Sequence, residues 1–152
     1  ALVGQGALED ELRNLALSLG LGNRVHWPGR VSKERMPEYL SAFDALVLPS
    51  RGIPVWKEQY GMVMVEAMVC ETPVVGSSSG AIPEVIGEAG LVFPEDDAGA
   101  LAAALRSLEQ DPQLRADLAA KGLLRAREQF TWQVVSGRLV ALFEETMSRP
   151  RR

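Results

Sequence analysis

Two glutamates, Glu58 and Glu66, stand in the part of the sequence with the most unusual chemistry. Glu66 is the only polar residue in the run from Met62 to Cys70, and a helix that is apolar all round is expected to be buried. A carboxylate buried in such a helix is costly unless another group pairs with it. Because helical side chains lean toward the helix N-terminus, we expect Glu66 to point back at the loop before its helix.

The start of this helix has the features of an anion site. Gly61 allows close approach of the backbone to a ligand, and the free N–H groups of the first turn, with the helix dipole, favour a phosphate. A carboxylate beside a phosphate would repel it, so Glu66 suits a neutral diol such as ribose, and Glu58 suits another hydroxyl group. The same residues allow an alternative, in which Glu66 pairs with a buried arginine and Glu58 is a solvated loop residue.

The surrounding chain alternates strand-like runs with helical patterns, which is typical of βαβ units around a parallel sheet. The sequence therefore predicts a Rossmann-like α/β fold with helices on both faces of the sheet. We place strands at residues 1–3, 24–27, 45–48, 73–75 and 90–93. A first helix ends at Gly20, a second begins close to Pro37, and three consecutive helices finish the chain.

Residue types at the ends of the last three helices predict their boundaries. Asp97 and Thr131 are expected to cap two of them, and Pro112 to open the helix between. Phe130 and Trp132 are expected to anchor the core.

Ligands bind outside the carboxyl ends of the strands in open parallel sheets. This rule selects three loops, residues 29–33, 49–61 and 76–84. The middle loop has 13 residues, whereas such loops usually have about two to six, and long loops in compact domains tend to be functional. We therefore expect the site at the middle loop.

Composition excludes several classes of function. The 152 residues suit one domain, which we predict over residues 1–148, with a disordered tail at 149–152. No apolar run approaches the roughly 20 residues of a membrane span, so we expect no transmembrane segment and a cytoplasmic location, with peripheral membrane attachment of a full-length protein left open. A net charge of −4 with scattered basic residues argues against nucleic-acid binding. One histidine and one cysteine argue against a metal site.

Several linked motifs resemble one enzyme family. Glu58 and Glu66, with seven residues between them, match the EX7E motif of retaining GT-B glycosyltransferases of family 4, also called glycosyl transferases group 1. The neighbouring blocks occur in the family's order: Asp44-Ala45-Leu46-Val47-Leu48-Pro49-Ser50, Glu58-Gln59-Tyr60-Gly61, Glu66-Ala67-Met68, Thr72-Pro73-Val74-Val75 and Ile82-Pro83-Glu84. The resemblance is to the C-terminal, donor-binding domain of these enzymes, and it covers essentially the whole chain.

The resemblance implies a role for each matching position. Glu58 would lie near the anomeric carbon of the donor sugar, as the catalytic residue, and Glu66 would hold the ribose hydroxyls. The backbone amides of Gly61, Met62 and Val63 would meet the diphosphate or the sugar, and the neighbouring Tyr60 belongs to the same donor-binding set. Arg30 and Val31 would border the base.

The resemblance also implies the reaction and its partners. The full-length protein would transfer a hexose from a UDP- or GDP-sugar with retention of configuration and without a metal or other cofactor. An acceptor-binding domain and the basic clamp on the diphosphate are expected upstream of Ala1, so the isolated chain is expected to be inactive. Two departures from the family are Glu71, which stands at a helix end that suits a positive φ, and Ala81, which replaces a glycine.

Three other classes of protein are alternatives to a glycosyltransferase domain. They are a GT-B-like epimerase or phosphorylase, a non-catalytic nucleotide-binding α/β module, and a structural domain whose site has decayed. Dinucleotide binding is disfavoured because the sequence lacks the GxGxxG fingerprint.

Overall fold

The computed structural model describes residues 1–148, so the tail predicted at 149–152 lies outside the described residues. The chain forms two compact units, which divide between Glu38 and Tyr39. The assignment of residues 1–148 to one domain stays a prediction.

The first unit contains helix α1 (Glu9–Ser18), which ends where the sequence predicts. Gly20 has a φ of 70°, and the N–H of Leu21 donates to the carbonyl of Ala16 at 2.8 Å. These are the left-handed residue and the long-range bond of a Schellman cap, which glycine makes without steric cost.

The strands predicted at residues 1–3 and 24–27 are wrong, since this region has one isolated parallel bridge, between Val3 and Gly29. Leu2 and Gly4 donate to the carbonyls of His26 and Gly29 at 2.9 and 2.8 Å. In a regular parallel ladder these two acceptors would be two residues apart, but His26 and Gly29 are three apart, so the chain bulges between them. Pro28, which lacks an N–H, and Gly29, with a φ of 71°, lie in this bulge. This bulge stops the ladder.

Helix α2 (Met36–Ser41) runs from the first unit into the second. Pro37 is its second residue, in the first turn, where the missing N–H costs no helical hydrogen bond. The prediction that this helix begins close to Pro37 is confirmed.

The second unit is built on a parallel sheet of β1 (Leu46–Leu48), β2 (Val74–Ser77) and β3 (Gly90–Phe93), in that spatial order. Val75 of the central strand pairs with Val47 on one side and Leu91 on the other. Every residue of β2 is buried. The three strands predicted in this half of the chain are confirmed.

Helices cover both faces of the sheet, as predicted. One face packs Val75 and Phe93 against Leu108 and Leu118, which lie on α5 (Ala98–Gln110) and α6 (Pro112–Gln129). The other face carries α3 (Met62–Val69) and α4 (Ile82–Ile86), and α6 also packs along α3.

Gly76 sets the position of α4 on this second face. A Cβ at Gly76 would lie 2.4 Å from Cγ2 of Ile82 and 2.7 Å from Cδ1 of Ile86. Because glycine has no side chain, α4 packs directly on the backbone of β2, which holds the intervening loop at the carboxyl end of the sheet.

The ends of the last helices confirm their predicted caps. Asp97 accepts from the N–H of Ala100 at 2.8 Å, and Thr131 accepts from that of Val134 at 3.3 Å, ahead of α7 (Trp132–Ser148). Pro112 opens α6 as predicted, and Asp111 caps it. The prediction that Trp132 anchors the core is wrong, because α7 has no buried residue and Trp132 is 82% exposed.

Candidate functional site

Three loops meet at the carboxyl end of the sheet, one after each strand. The Ser77 hydroxyl donates to the carbonyl of Ser50 at 2.5 Å, which joins the end of β2 to the loop after β1. The N–H of Gly52 in that loop donates to Oε1 of Glu95, just beyond β3, at 2.6 Å. These bonds fix the long loop, residues 49–61, against its two neighbours.

A close backbone contact joins the loops after β1 and β2. The N–H of Ala81 donates to the carbonyl of Glu58 at 3.1 Å. Gly80 has a φ of 55°, and a Cβ there would lie 2.0 Å from the carbonyl oxygen of Glu58. Ala81 therefore does not prevent a close approach in this loop, because the neighbouring glycine provides it.

Glu58 is a fixed, half-buried carboxylate. Its Oε1 accepts from the N–H of Gly61 at 3.0 Å, and its Oε2 accepts from the hydroxyl of Ser50 at 3.2 Å. The alternative of a freely solvated loop residue is wrong, since both carboxylate oxygens have protein donors.

The first turn of α3 presents two free backbone donors. Gly61 is the buried N-cap with a φ of 69°, and its N–H is already taken by Glu58. Met64 donates to the carbonyl of Gly61 at 2.8 Å, whereas the N–H groups of Met62 and Val63 have no acceptor among residues 1–148. Of the three amides predicted to meet a diphosphate, Met62 and Val63 are therefore available and Gly61 is occupied.

Glu66 is exposed, so the prediction of a helix buried on all sides is wrong. Helix α3 buries Met64, Ala67 and Met68, while Met62 and Val69 are 61% and 57% exposed. The spacing from Met62 to Glu66 to Val69 places these three on one stripe that neither the sheet nor α6 covers. Within the described residues Glu66 makes no side-chain hydrogen bond or ion pair, so the alternative of a buried arginine partner is also wrong.

The ring of Tyr60 contacts another ring. Its centroid lies 5.9 Å from that of Phe130, with an angle of 83° between the ring planes. Tyr60 is 37% exposed, and its predicted contact with a donor stays a prediction.

Arg30 and Val31 lie in the first unit, after the left-handed Gly29. Arg30 is exposed and Val31 is half-buried. Their predicted place beside the base stays a prediction.

Glu95 and Ser50 were missed by the sequence-based prediction. Glu95 is the second residue after β3, at the same end of the sheet as the three selected loops. The rule about carboxyl ends, applied to the strand predicted at residues 90–93, would have found it. Ser50 lies in one of the family blocks, but its bond to Glu58 had no sequence signal, because that bond depends on the fold of the loop around it.

Among residues 1–148, no group of three or more histidine, cysteine, aspartate or glutamate side chains is placed to hold a metal ion. No helix in this described part of the chain is both long and apolar enough to cross a bilayer.

The chain belongs to the glycosyl transferases group 1 family, whose model matches residues 1–125. A mannosyltransferase of Corynebacterium glutamicum, which is GDP-mannose-dependent and acts on a monoacylated phosphatidylinositol monomannoside, is 33% identical over 99% of this chain and 39% of its own length. The chain thus spans about two fifths of the length of this relative.

Solved structures agree with this assignment. Sucrose-phosphate synthase of Thermosynechococcus elongatus superimposes with a TM-score of 0.79 and 31% identity, over 94% of this chain and 35% of that one. HepE of Anabaena, solved in complex with UDP, gives a TM-score of 0.83 and 26% identity over 95% and 40%. The fold is the Rossmann-like C-terminal half of a GT-B glycosyltransferase.

Proposed function

We propose that this chain is the donor-binding half of a hexosyltransferase that moves a sugar from a nucleotide-diphospho-sugar to an acceptor with retention of configuration. The observation that carries the proposal is the fixed carboxylate of Glu58 beside the two free amides of Met62 and Val63. Amides at a helix start bind phosphate, and a carboxylate stabilises positive charge on a neighbouring carbon.

The diphosphate would bind at the free amides, without a metal ion. Glu66, exposed and unpaired, suits the two hydroxyl groups of a ribose, which need acceptors but no counter-charge. Glu58 would face the anomeric carbon, and Arg30 and Val31 would border the base. Relatives whose names or complexes include GDP-mannose and UDP support a UDP- or GDP-sugar as the donor.

The reaction would proceed on one face of the sugar. As the bond from the anomeric carbon to the diphosphate oxygen breaks, positive charge develops on the sugar and negative charge on the diphosphate. The α3 amides stabilise the diphosphate, and Glu58 stabilises the sugar. The acceptor hydroxyl attacks from the side on which the diphosphate leaves and gives its proton to a departing phosphate oxygen, so the configuration is retained.

The acceptor would be held by another domain of the full-length protein, which would also supply the basic clamp. Of the two cations of the long loop, Arg51 is exposed and its Nη1 lies 3.5 Å from Oδ1 of Asp96. A cytoplasmic location of the full-length protein, with peripheral attachment to a membrane, belongs to the same proposal.

A binding screen tests the proposal. The full-length protein is titrated calorimetrically with UDP-, GDP- and ADP-sugars, and with NAD as the control for a dinucleotide site. We expect saturable binding of one class of nucleotide sugar, with competition by the matching free diphosphate. Binding of NAD with no binding of any nucleotide sugar would contradict it, and donor binding without transfer to any acceptor would favour the non-catalytic alternative.

A further inference from the structure

An aromatic contact joins the loop before α3 to the end of α6. Tyr60 lies between Glu58 and the N-cap Gly61, and its ring meets Phe130 edge to face at 5.9 Å. Phe130 is the C-cap of α6 and is half-buried. Ring pairs with this geometry attract each other beyond the area that they bury.

Phe130 also contacts a cation that holds α4. The guanidinium carbon of Arg125 lies 5.6 Å from the centre of the Phe130 ring. Its Nε donates to the carbonyl of Val85 at 2.8 Å, and its Nη2 donates to that of Glu84 at 2.6 Å. These carbonyls lie in the last turn of α4, which has too few residues to pair them within the helix.

Gly87 makes room for this arginine. It has a φ of 54°, and a Cβ there would lie 2.7 Å from the guanidinium carbon of Arg125. Arg125 therefore occupies a space that a larger residue after α4 would fill.

The end of α6 thus contacts the loop that carries Glu58 and also helix α4, which follows the second loop of the candidate site. Tyr60 belongs to the loop that carries Glu58, and α4 begins one residue after Ala81, whose N–H bonds the Glu58 carbonyl. The two site loops are joined directly at Glu58 and Ala81, and a second time through Tyr60, Phe130 and Arg125.

We propose that Phe130 and Arg125 are positioning residues, which act through the ring of Tyr60 and the end of α4 to hold Glu58 and the first turn of α3 in the geometry that binds the donor diphosphate. This inference rests on the proposed function for its purpose and on the ring and guanidinium contacts for its mechanism. On this proposal the ring of Tyr60 positions the loop, and its hydroxyl does not contact the sugar donor.

Substitutions at the two rings separate these roles. Tyr60→Phe keeps the ring and removes the hydroxyl, whereas Tyr60→Leu removes the ring, and Phe130→Tyr and Phe130→Leu form the matching pair. In the full-length protein titrated with UDP-glucose and GDP-mannose, we expect the two leucine variants to weaken binding about fivefold, the scale of one ring contact. The double leucine variant should bind about as weakly as Phe130→Leu alone, because the contact between the two rings is already lost in that variant. Phe130→Tyr should bind like the native protein, and Tyr60→Phe should bind more tightly than Tyr60→Leu.

Hydrogen exchange measures the positioning without a ligand. The N–H groups of Gly61 and Ala81 both donate to Glu58, so their exchange reports on the loop junction. We expect the leucine variants to increase deuterium uptake in peptides that cover residues 59–64 and 79–82, and to leave a peptide from the buried strand β2 unchanged. Arg125→Met should also increase deuterium uptake in the peptide that covers residues 79–82.

The outcomes distinguish the two proposals. If the native protein binds no nucleotide sugar of the UDP, GDP or ADP class, the proposed function fails and the exchange data alone decide whether the loops are positioned from α6. The inference is overturned if Phe130→Leu leaves both affinity and exchange unchanged, if uptake rises equally in β2, or if Tyr60→Phe is as damaging as Tyr60→Leu.

Discussion

The two glutamates differ in how the protein holds them, and this difference predicts different kinetics. Glu58 has donors on both carboxylate oxygens, whereas Glu66 is exposed without a partner among the described residues. A fixed carboxylate is preorganised to stabilise charge in a transition state. A ribose contact acts equally in the ground and transition states.

We therefore expect Glu58→Gln in the full-length enzyme to lower kcat on the order of 100-fold with little change in donor affinity. Glu66→Gln should chiefly raise KM for the donor. Steady-state kinetics with calorimetry of the donor measure both effects. The free nucleoside diphosphate is the control. Its affinity should fall in Glu66→Gln and stay nearly constant in Glu58→Gln. The reverse pattern would contradict the two roles.

Glu71 shows that a departure from the family pattern can identify a strained residue. Its φ is 57°, and the N–H groups of Glu71 and Thr72 donate to the carbonyls of Met68 and Ala67 in a Schellman cap of α3. The positive φ predicted at this helix end is confirmed. Residues other than glycine lose about 1 kcal/mol in this conformation.

Glu71→Gly is expected to raise the free energy of unfolding by about 1 kcal/mol, because glycine adopts this φ without strain. Glu71→Ala is the matched control, since it removes the same side chain and keeps the strain. Denaturant titration of both variants measures the difference. Equal stability of the glycine and alanine variants would show that φ is not the cause.

At the scale of elements, Gly80 decides whether the two site loops can touch. A Cβ would lie 2.0 Å from a backbone oxygen, which cannot swing away as a flexible side chain can, and the φ of 55° adds strain. The loop after β2 would therefore have to move away from Glu58.

Gly80→Ala should destabilise the protein by about 1–3 kcal/mol and weaken nucleotide-sugar binding more than tenfold, because Glu58 and α3 lose their neighbour. Gly137→Ala is the control, since a Cβ at Gly137 meets nothing within 4 Å and its φ is not positive. Thermal unfolding and calorimetry measure the two effects. Native-like donor affinity in Gly80→Ala would show that the loop contact does not shape the site.

At the scale of the whole molecule, the length of the relatives bears on what this chain does alone. The chain spans 39% of the length of the Corynebacterium glutamicum mannosyltransferase. If the acceptor is held by another domain, water reaches the sugar site in the isolated chain and no acceptor hydroxyl is positioned.

We expect the isolated 152-residue chain to show no transfer of labelled sugar above its Glu58→Gln control, and to bind nucleotide sugars more weakly than micromolar. A radiolabel transfer assay and calorimetry check these two expectations. Submicromolar affinity would show that the phosphate clamp lies within these residues.

Features that depend on near neighbours in the chain can be predicted from the sequence alone. The caps at Asp97 and Thr131, the stop at Gly20 and the strain at Glu71 each require only a few adjacent residues, because a helix end is completed within one turn. The strands of the central sheet were predictable for a similar reason, since each is a short apolar run.

Which groups face each other across the candidate site depends on how distant segments of the chain pack. Glu58 meets Ala81, Gly52 meets Glu95 and Tyr60 meets Phe130 across 23 to 70 residues of chain, and no local pattern encodes such pairs. Exposure of Glu66 was also mispredicted from sequence, because an apolar helix is buried only on the faces that neighbouring elements reach. The family motif selected the candidate site, and packing between distant segments determined which of its donors and carboxylates remain free.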